Sequence, residues 1–472
     1  MEQALRAEWR HRLALRGWLL PAAAGIFVFG LGQELWSRYL PEYLRFLGAS
    51  ALAVGAFGAL SDLLDAAYAY PGGWLSDHWG GRRALLFFGL LTAIGFVVYF
   101  LWRSIAGVFF GLFLVMAWKS LGLPATFALI GEELSGSRRI VGFTVQSILR
   151  RIPIVIAPPL GGLLIERLGM ARGMRTGFAV SIALSLAMLL ALHLAFRRSS
   201  SPLPPLPSGE GRGEELQSES RHGRSPAPTQ ELLLPPGEGR GEVRSSVVPA
   251  SREAAAPAQE LPLPPGEGRG EGETKVTPGS SVTLHPTLKR LLVADCLIRL
   301  CEGLPDVFLV VWALEVLRLS PSEFGLATSV LMGTSILSYL PAAALAERIE
   351  KKPFVIATFL FFTLFPIAVL LSRSFVQLLG AYVVGGLREI GEPARKALIV
   401  DLSPLDARGR TVGLYYSIRG FTVAGAALVG GALWTIRPSL TFLAAALLGL
   451  AGTLWAAVAL PSRPAAVVEA TR

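Results

Sequence analysis

The sequence predicts an all-α integral membrane protein with twelve transmembrane helices in two pseudo-symmetric six-helix bundles, and three observations carry that prediction. Of 472 residues, 52% are hydrophobic and only 17% charged, whereas ordinary soluble domains carry about 25% charged residues. About twelve windows reach the roughly 20 apolar residues a helix needs to cross a bilayer, six before residue 197 and six after residue 286. The chain also nearly repeats itself at an offset of about 270 residues, as carriers built from two like halves do. Gly73-Trp74-Leu75-Ser76-Asp77-His78-Trp79-Gly80-Gly81-Arg82-Arg83 sits between two apolar runs, and Ala343-Ala344-Leu345-Ala346-Glu347-Arg348-Ile349-Glu350-Lys351-Lys352 sits between two others. The same offset aligns Lys119-Ser120-Leu121-Gly122-Leu123-Pro124-Ala125 with Arg388-Glu389-Ile390-Gly391-Glu392-Pro393-Ala394.

The expected spans are 18–38, 50–75, 83–102, 105–130, 140–166 and 176–196 in the first half. In the second they are 289–314, 322–346, 353–372, 375–400, 410–436 and 438–460. All should be helical, since only helices and closed barrels satisfy backbone groups in lipid, and barrel strands would be alternating segments of about ten residues. Internal Pro71, Pro153, Pro158, Pro159 and Pro341 are compatible with membrane helices. The first run follows Arg6, Arg10, Arg12 and Arg16, exceeds a signal-peptide core and lacks a cleavage site, so it reads as a retained span. The expected organisation is therefore a cytoplasmic segment 1–17, a bundle 18–196, a linker 197–286, a bundle 287–461 and a cytoplasmic tail 462–472.

Orientation follows from basic loop residues. With the N-terminus inside, cytoplasmic loops hold Arg82, Arg83, Arg138, Arg139, Arg197, Arg198, Arg348, Lys351, Lys352, Arg408 and Arg410. The opposite loops hold Arg45, Arg103, Arg318, Arg373 and Arg437, with Arg167, Arg172 and Arg175 breaking the trend. A multi-pass protein of the cell (plasma or inner) membrane with both termini cytoplasmic is expected. The stretch 199–285 is rich in Pro, Gly, Ser and Glu and holds near-copies around Gly209-Glu210-Gly211-Arg212-Gly213-Glu214, Gly237-Glu238-Gly239-Arg240-Gly241-Glu242 and Gly266-Glu267-Gly268-Arg269-Gly270-Glu271. It reads as a disordered cytoplasmic linker.

The net charge of +10 is dispersed in short loops and forms no compact basic face, which argues against nucleic acid. Cys296 and Cys301 are five residues apart in one apolar segment, unsuited to a disulfide within a helix. No metal-ligand cluster, catalytic triad pattern or nucleotide-binding fingerprint of the Gly-x-x-x-x-Gly-Lys-Ser/Thr type appears. The chain is expected to be no enzyme and to hold neither metal nor cofactor.

Both helical blocks, roughly 17–196 and 287–461, resemble the major facilitator superfamily. The pattern between spans two and three is matched by Gly73, Asp77, Gly80, Arg82 and Arg83, with His78 in the usual basic slot. Glycine at 73 permits close helix approach, and Gly80 suits a tight turn. The resemblance implies a cytoplasmic latch in which Asp77 meets the start of span eleven and an arginine meets Glu132 or Glu133. The second copy keeps Glu347, Arg348 and Lys352 but lacks both glycines, implying a weaker latch. A second repeated element sets Glu132 and Arg139 against Asp401, Arg408 and Arg410 as gate or scaffold charges; exposed pairs of this kind are worth about 0–1 kcal/mol. In span five, Pro158, Gly161 and Gly162 resemble the tail of an exporter motif, with small-residue packing as the alternative.

Intramembrane charges mark the candidate pathway. Asp295, Arg299, Glu302 and Asp306 follow spacings that place them on one stripe of span seven. Asp62 and Asp65 share a face of span two, and Glu34 and Arg38 lie in the outer half of span one. Lys119 and Arg388 occupy matched positions, as do Arg150 and Arg419. A charge at the bilayer centre costs at least about 2.5–3.5 kcal/mol, so these should face water or one another, with Glu302 and Asp62 the first choices for proton coupling. The expected function is a secondary transporter working by alternating access on a small solute, in the manner of proton-coupled multidrug efflux. Its expected partners are that small-molecule substrate, protons and the bilayer, with the protein monomeric. Uptake of a polar or anionic solute by symport, and a non-transporting sensor or scaffold, are the alternatives.

Overall fold

The computed structural model of this chain describes residues 19–118, 137–199, 284–346, 350–403 and 408–461. Nearly all of the expected linker lies outside them. The first half comprises α1 (Leu19–Glu34), a 3-10 turn (Ser37–Tyr39), α2 (Leu40–Phe46), α3 (Ala51–Trp79), α4 (Gly81–Leu101), α5 (Ile105–Met116), α6 (Ser137–Leu168) and α7 (Met170–Ser199). The second comprises α8 (Pro286–Gly303), a 3-10 turn (Asp306–Phe308), a helical turn (Leu309–Val311), a π segment (Trp312–Val316), α9 (Pro321–Ala346), α10 (Lys351–Leu371) and α11 (Phe375–Leu387). It closes with α12 (Glu392–Asp401), α13 (Arg408–Ala424), α14 (Ala426–Ile436) and α15 (Pro438–Ala459). Among the described residues there is no strand.

Segments over 51–68, 82–101, 170–194, 351–371, 411–436 and 438–459 are by themselves long and apolar enough to cross a bilayer. Several other passes are broken where the sequence suggested single helices. Span one, expected over 18–38, stops at Glu34. There the Ser37 hydroxyl donates to the Glu34 carboxylate at 3.1 Å and Arg38 approaches it at 3.6 Å. Pro41, at the second position of α2, cannot supply the N–H a continuous helix would need. Span seven repeats the device around Pro305, so α8 ends at Gly303 and Asp306 leaves the helical stripe of Asp295, Arg299 and Glu302. Span ten, expected unbroken over 375–400, turns at Arg388–Gly391. Gly391 N donates to Thr358 Oγ1 at 2.5 Å, and Pro393 restarts the chain as α12.

The sequence repeat reappears as backbone geometry. Ser104 caps α5 at φ −143°, ψ 164°, accepting from Gly107 N, and Ser374 caps α11 at φ −144°, ψ 163°, accepting from Gln377 N. Gly80 takes φ 80° between α3 and α4, the left-handed region that glycine enters without strain. Large apolar side chains such as Leu337 and Val458 point outward, as a lipid-facing surface requires.

Within the first half α7 packs on α1 and α4; within the second α15 packs on α8 and α10. Between the halves α6 packs along α9, and α3 along α13 and α14. Both seams close tightly at the distal end, which carries the turns after Phe46, Leu101 and Val316. The buried Tyr39 hydroxyl lies 2.7 Å from Pro158 O and 2.9 Å from Pro321 O, its proton shared between carbonyls of the two halves. Arg45 of α2 is bidentate to Glu315, at 3.1 and 3.4 Å, and Ser322 donates to Glu166. The backbones approach so closely that a Cβ on Gly325 would stand 2.5 Å from Pro158 O, and one on Gly431 would stand 2.7 Å from Ala51 O.

Candidate functional site

The charged residues of spans seven, ten and eleven converge on one network because three broken or short helices deliver them at the same level. Asp295 of α8 is 1% exposed. Both its oxygens accept from Arg395 of α12, and it also accepts from Tyr415 Oη at 3.0 Å and Arg419 Nη1 at 3.4 Å, both on α13. Arg395, itself 1% exposed, donates through Nε to Glu392 at 3.0 Å. One helical turn along α8, Arg299 Nη1 donates to Glu302 at 2.6 Å and Nη2 lies 3.7 Å from Glu392. Arg388, in the turn between α11 and α12, reaches the other Glu302 oxygen at 3.3 Å. Arg299 and Arg388 both rest on the Phe362 ring of α10, at 5.4 and 5.1 Å, the attraction a guanidinium has for an aromatic face.

The network divides in two by exposure. Asp295 and Arg395 are sealed at 1% exposure, whereas Arg299 and Glu302 are 22% and 24% exposed. A sealed, fully bonded pair fixes helices; a half-open one can exchange partners.

A second group crosses between the halves. Arg38 of the first 3-10 turn pairs with Glu34 and lies within electrostatic reach of Asp306 and Tyr382. Arg151 of α6 bonds Glu389 at 3.4 Å. At the distal end Glu42 of α2 has one carboxylate oxygen buried without a hydrogen-bond partner. Burial pushes its carboxyl up to about 7; neighbouring Glu315 adds to the rise and Arg45 opposes it.

Of the other candidates from the sequence, Asp62 is half-buried and Asp65 exposed on α3, and each has an interaction partner. Pro158, Gly161 and Gly162 lie in α6 at the distal seam, where a Cβ on Gly162 would stand 2.6 Å from Tyr39 Oη. Arg82 lies over the Phe196 ring at 5.6 Å, and Arg83 is exposed. Asp401 pairs with Lys351, the neighbour of the expected Lys352. Gly73 and Asp77 fall in α3, Arg139 and Arg150 in α6, and Arg408 and Arg410 in α13, but their side chains lie outside the description. Lys119, Glu132, Glu347 and Arg348 lie outside the described residues altogether. Sequence reasoning passed over Glu392, Arg395, Tyr415, Arg151, Glu389 and Glu42. The three-residue spacing of Glu392 and Arg395, and the density of charge over 388–396, were the available signs.

The family model described as Major Facilitator Superfamily matches residues 22–256 and 291–471. An uncharacterized MFS-type transporter of Methanocaldococcus jannaschii is 27% identical over 114 residues, covering 24% of this chain and 28% of that protein, so the match spans under a third of the relative. Among solved structures, a mutant of the peptide transporter POT superposes with a TM-score of 0.64 at 15% identity, covering 94% of this chain and 93% of that one. A bacterial homolog to the human lysosomal transporter Spinster gives 0.62 at 13%, covering 94% and 95%. A mutant of the nucleoside transporter NupG gives 0.63 at 11%, covering 94% and 99%. At such identities the likeness is one of fold.

Proposed function

Since this chain belongs to the Major Facilitator Superfamily and is a multi-pass membrane transporter, we propose that it carries a small, charged polar solute by alternating access, coupled to protons. The observation that carries this reading is the cluster of partly exposed charges on the inner helices, beside two tightly sealed distal seams. A charge held in the apolar layer costs about 2.5–3.5 kcal/mol or more. Arg38, Arg151, Arg299, Glu302, Arg388 and Arg419 are all between 16% and 40% exposed, which favours a hydrated solute path over an apolar drug pocket. The distal end is read as the outside, from the basic residues of the opposite loops. In this reading the structure is closed outside, and the Arg45–Glu315 and Tyr39 contacts part when it opens. The gate charges on the cytoplasmic side, Asp77 and Arg82 among them, then take over closure.

Efflux is favoured by the partial exporter motif at Pro158, Gly161 and Gly162 together with the intramembrane acids. Close packing against Tyr39 and Pro321 accounts for small residues there without reference to the direction of transport. The test is a proteoliposome assay with an imposed pH gradient and a pH-sensitive dye. Small carboxylic acids and dipeptides should dissipate the gradient, and deletion of residues 200–284 should leave that flux intact. Extrusion of ethidium with no response to polar solutes would favour efflux, and loss of all flux on deletion would favour a linker-dependent scaffold.

A further inference from the structure

We infer that Arg299 and Arg388 form the binding site for an anionic group of the transported solute, and that Glu302 occupies this site as a built-in stand-in when no solute is bound. This rests on the transporter reading above and adds to it the class of ligand and the coupling device.

The two guanidiniums come from different helices, yet both lie about 5 Å above one phenyl ring, Phe362, and Arg388 also lies 5.5 Å from Phe365. Each takes one oxygen of the Glu302 carboxylate, at 2.6 and 3.3 Å. A carboxylate bridging two guanidiniums has the arrangement that a ligand carboxylate or tetrahedral oxyanion would adopt in the same place. Arg388 meets Glu302 through Nη2 at 3.3 Å, a contact that a ligand oxygen can shorten.

The connected ion pairs join Asp295, Glu302 and Glu392 to Arg299, Arg388, Arg395, Arg419 and Lys396, three carboxylates against five cations. Lys396 is more than half exposed, which leaves four guanidiniums to three carboxylates in these connected pairs, with Asp306 and the Arg38–Glu34 and Arg151–Glu389 pairs lying outside them. Asp295 is closed to exchange by Arg395 and Tyr415; Glu302 is not. Glu302 also lies one residue from the end of α8, and Arg388 lies in a turn, so neither partner is fixed by a helix on both sides.

The groups facing Glu302 are Arg299 on its own helix, Arg388 after α11 and Glu392 at the start of α12. Tyr382 of α11 faces Arg388, and Asp306 and Arg38 lie beside Tyr382. From α13 comes Arg419, bonded to Asp295. The α10 charges, Lys351 and Lys352, lie at its far end, and α15 carries no charged residue. When a solute anion takes the two guanidiniums, the Glu302 carboxylate loses them and binds one proton from the aqueous phase. One negative charge enters and one is neutralised, so the site keeps its net charge while a monoanion and a proton travel together.

The experiment uses the purified full-length protein in detergent, with benzoate and sulfate as anionic probes and choline and glucose as controls. In lightly buffered solution near neutral pH, wild type should bind benzoate or sulfate and take up about one proton per anion bound, read with a pH dye. Which of the two binds assigns a carboxylate or a tetrahedral oxyanion as the natural group. Glu302→Gln should bind the same anion at least about tenfold more tightly, with affinity flat between pH 5 and 8, and Arg388→Gln should abolish it. Binding of choline or glucose with neither anion bound, anion binding without proton uptake in wild type, or weaker anion binding by folded Glu302→Gln overturns the inference. Failure here with solute flux intact in proteoliposomes leaves the transporter reading standing. Anion binding with no flux of any solute removes that reading instead.

Discussion

Replacing Gly325 by alanine tests whether the distal seam between α6 and α9 opens in the working cycle. The new Cβ would stand 2.5 Å from Pro158 O and 2.6 Å from Tyr39 Oη, both on the other half of the molecule. Non-bonded contacts settle near about 3.5 Å, so the halves must part locally by about 1 Å. Overpacking of this kind costs about 1–3 kcal/mol. If the seam opens, the cost falls on the closed state alone and shifts the equilibrium toward the open state by about 5–150-fold. The assay is double electron–electron resonance between spin labels at Phe46→Cys and Val376→Cys, with Cys296 and Cys301 replaced by alanine; both label sites are exposed, at 57% and 74%. Gly325→Ala should add a longer-distance population. Gly333→Ala, on the same helix with nothing within 4 Å of the new methyl, should leave the distribution as in wild type. A lowered melting temperature for Gly325→Ala with an unshifted distance distribution would refute the reasoning, since the seam would then be static core.

Three further outcomes are expected. The buried Glu42 carboxyl, raised to about 7 from 4.5 by burial and Glu315, stabilises distal closure fully below about pH 4.5, and that stabilisation is lost as pH rises through about 7; the same label pair should widen over that window, and Glu42→Gln should flatten the response. Tyr39→Phe removes the hydroxyl shared by Pro158 O and Pro321 O and should favour opening by about 0.5–1.5 kcal/mol, read as a larger long-distance fraction with the melting temperature little changed. Asp295→Asn removes the buried carboxylate that Arg395 and Arg419 share and leaves Arg395 with Glu392 alone; it should cost up to about 3–5 kcal/mol, seen as a loss of thermal stability whether or not solute binding survives.

Much of the architecture was legible without coordinates, for a simple reason. Bilayer thickness demands long apolar runs, and a gene-level repeat leaves matched residues behind, so spans and halves are written in local sequence. The repeat of Ser104 and Ser374 as near-identical helix caps shows how faithfully that information survives folding. Breaks within spans were less legible, because Pro41, Pro305 and Pro393 are tolerated in membrane helices as often as they end them. At span ten the decision fell to a tertiary partner, Thr358, which receives the freed Gly391 N–H.

The sequence by itself determined that charged residues lie in the membrane, and on which helices, because charge and hydropathy are properties of the chain. Which charges pair was decided only by the tertiary structure. Asp295 and Glu302 look alike in sequence, seven residues apart on one apolar helix, yet one is sealed by Arg395 and Tyr415 while the other stands open between Arg299 and Arg388. Apart from Arg299 on the same helix, their partners come from distant helices, Arg395 at a separation of 100 residues and Tyr415 at 120, and the energy of a buried charge depends on the few ångströms around it.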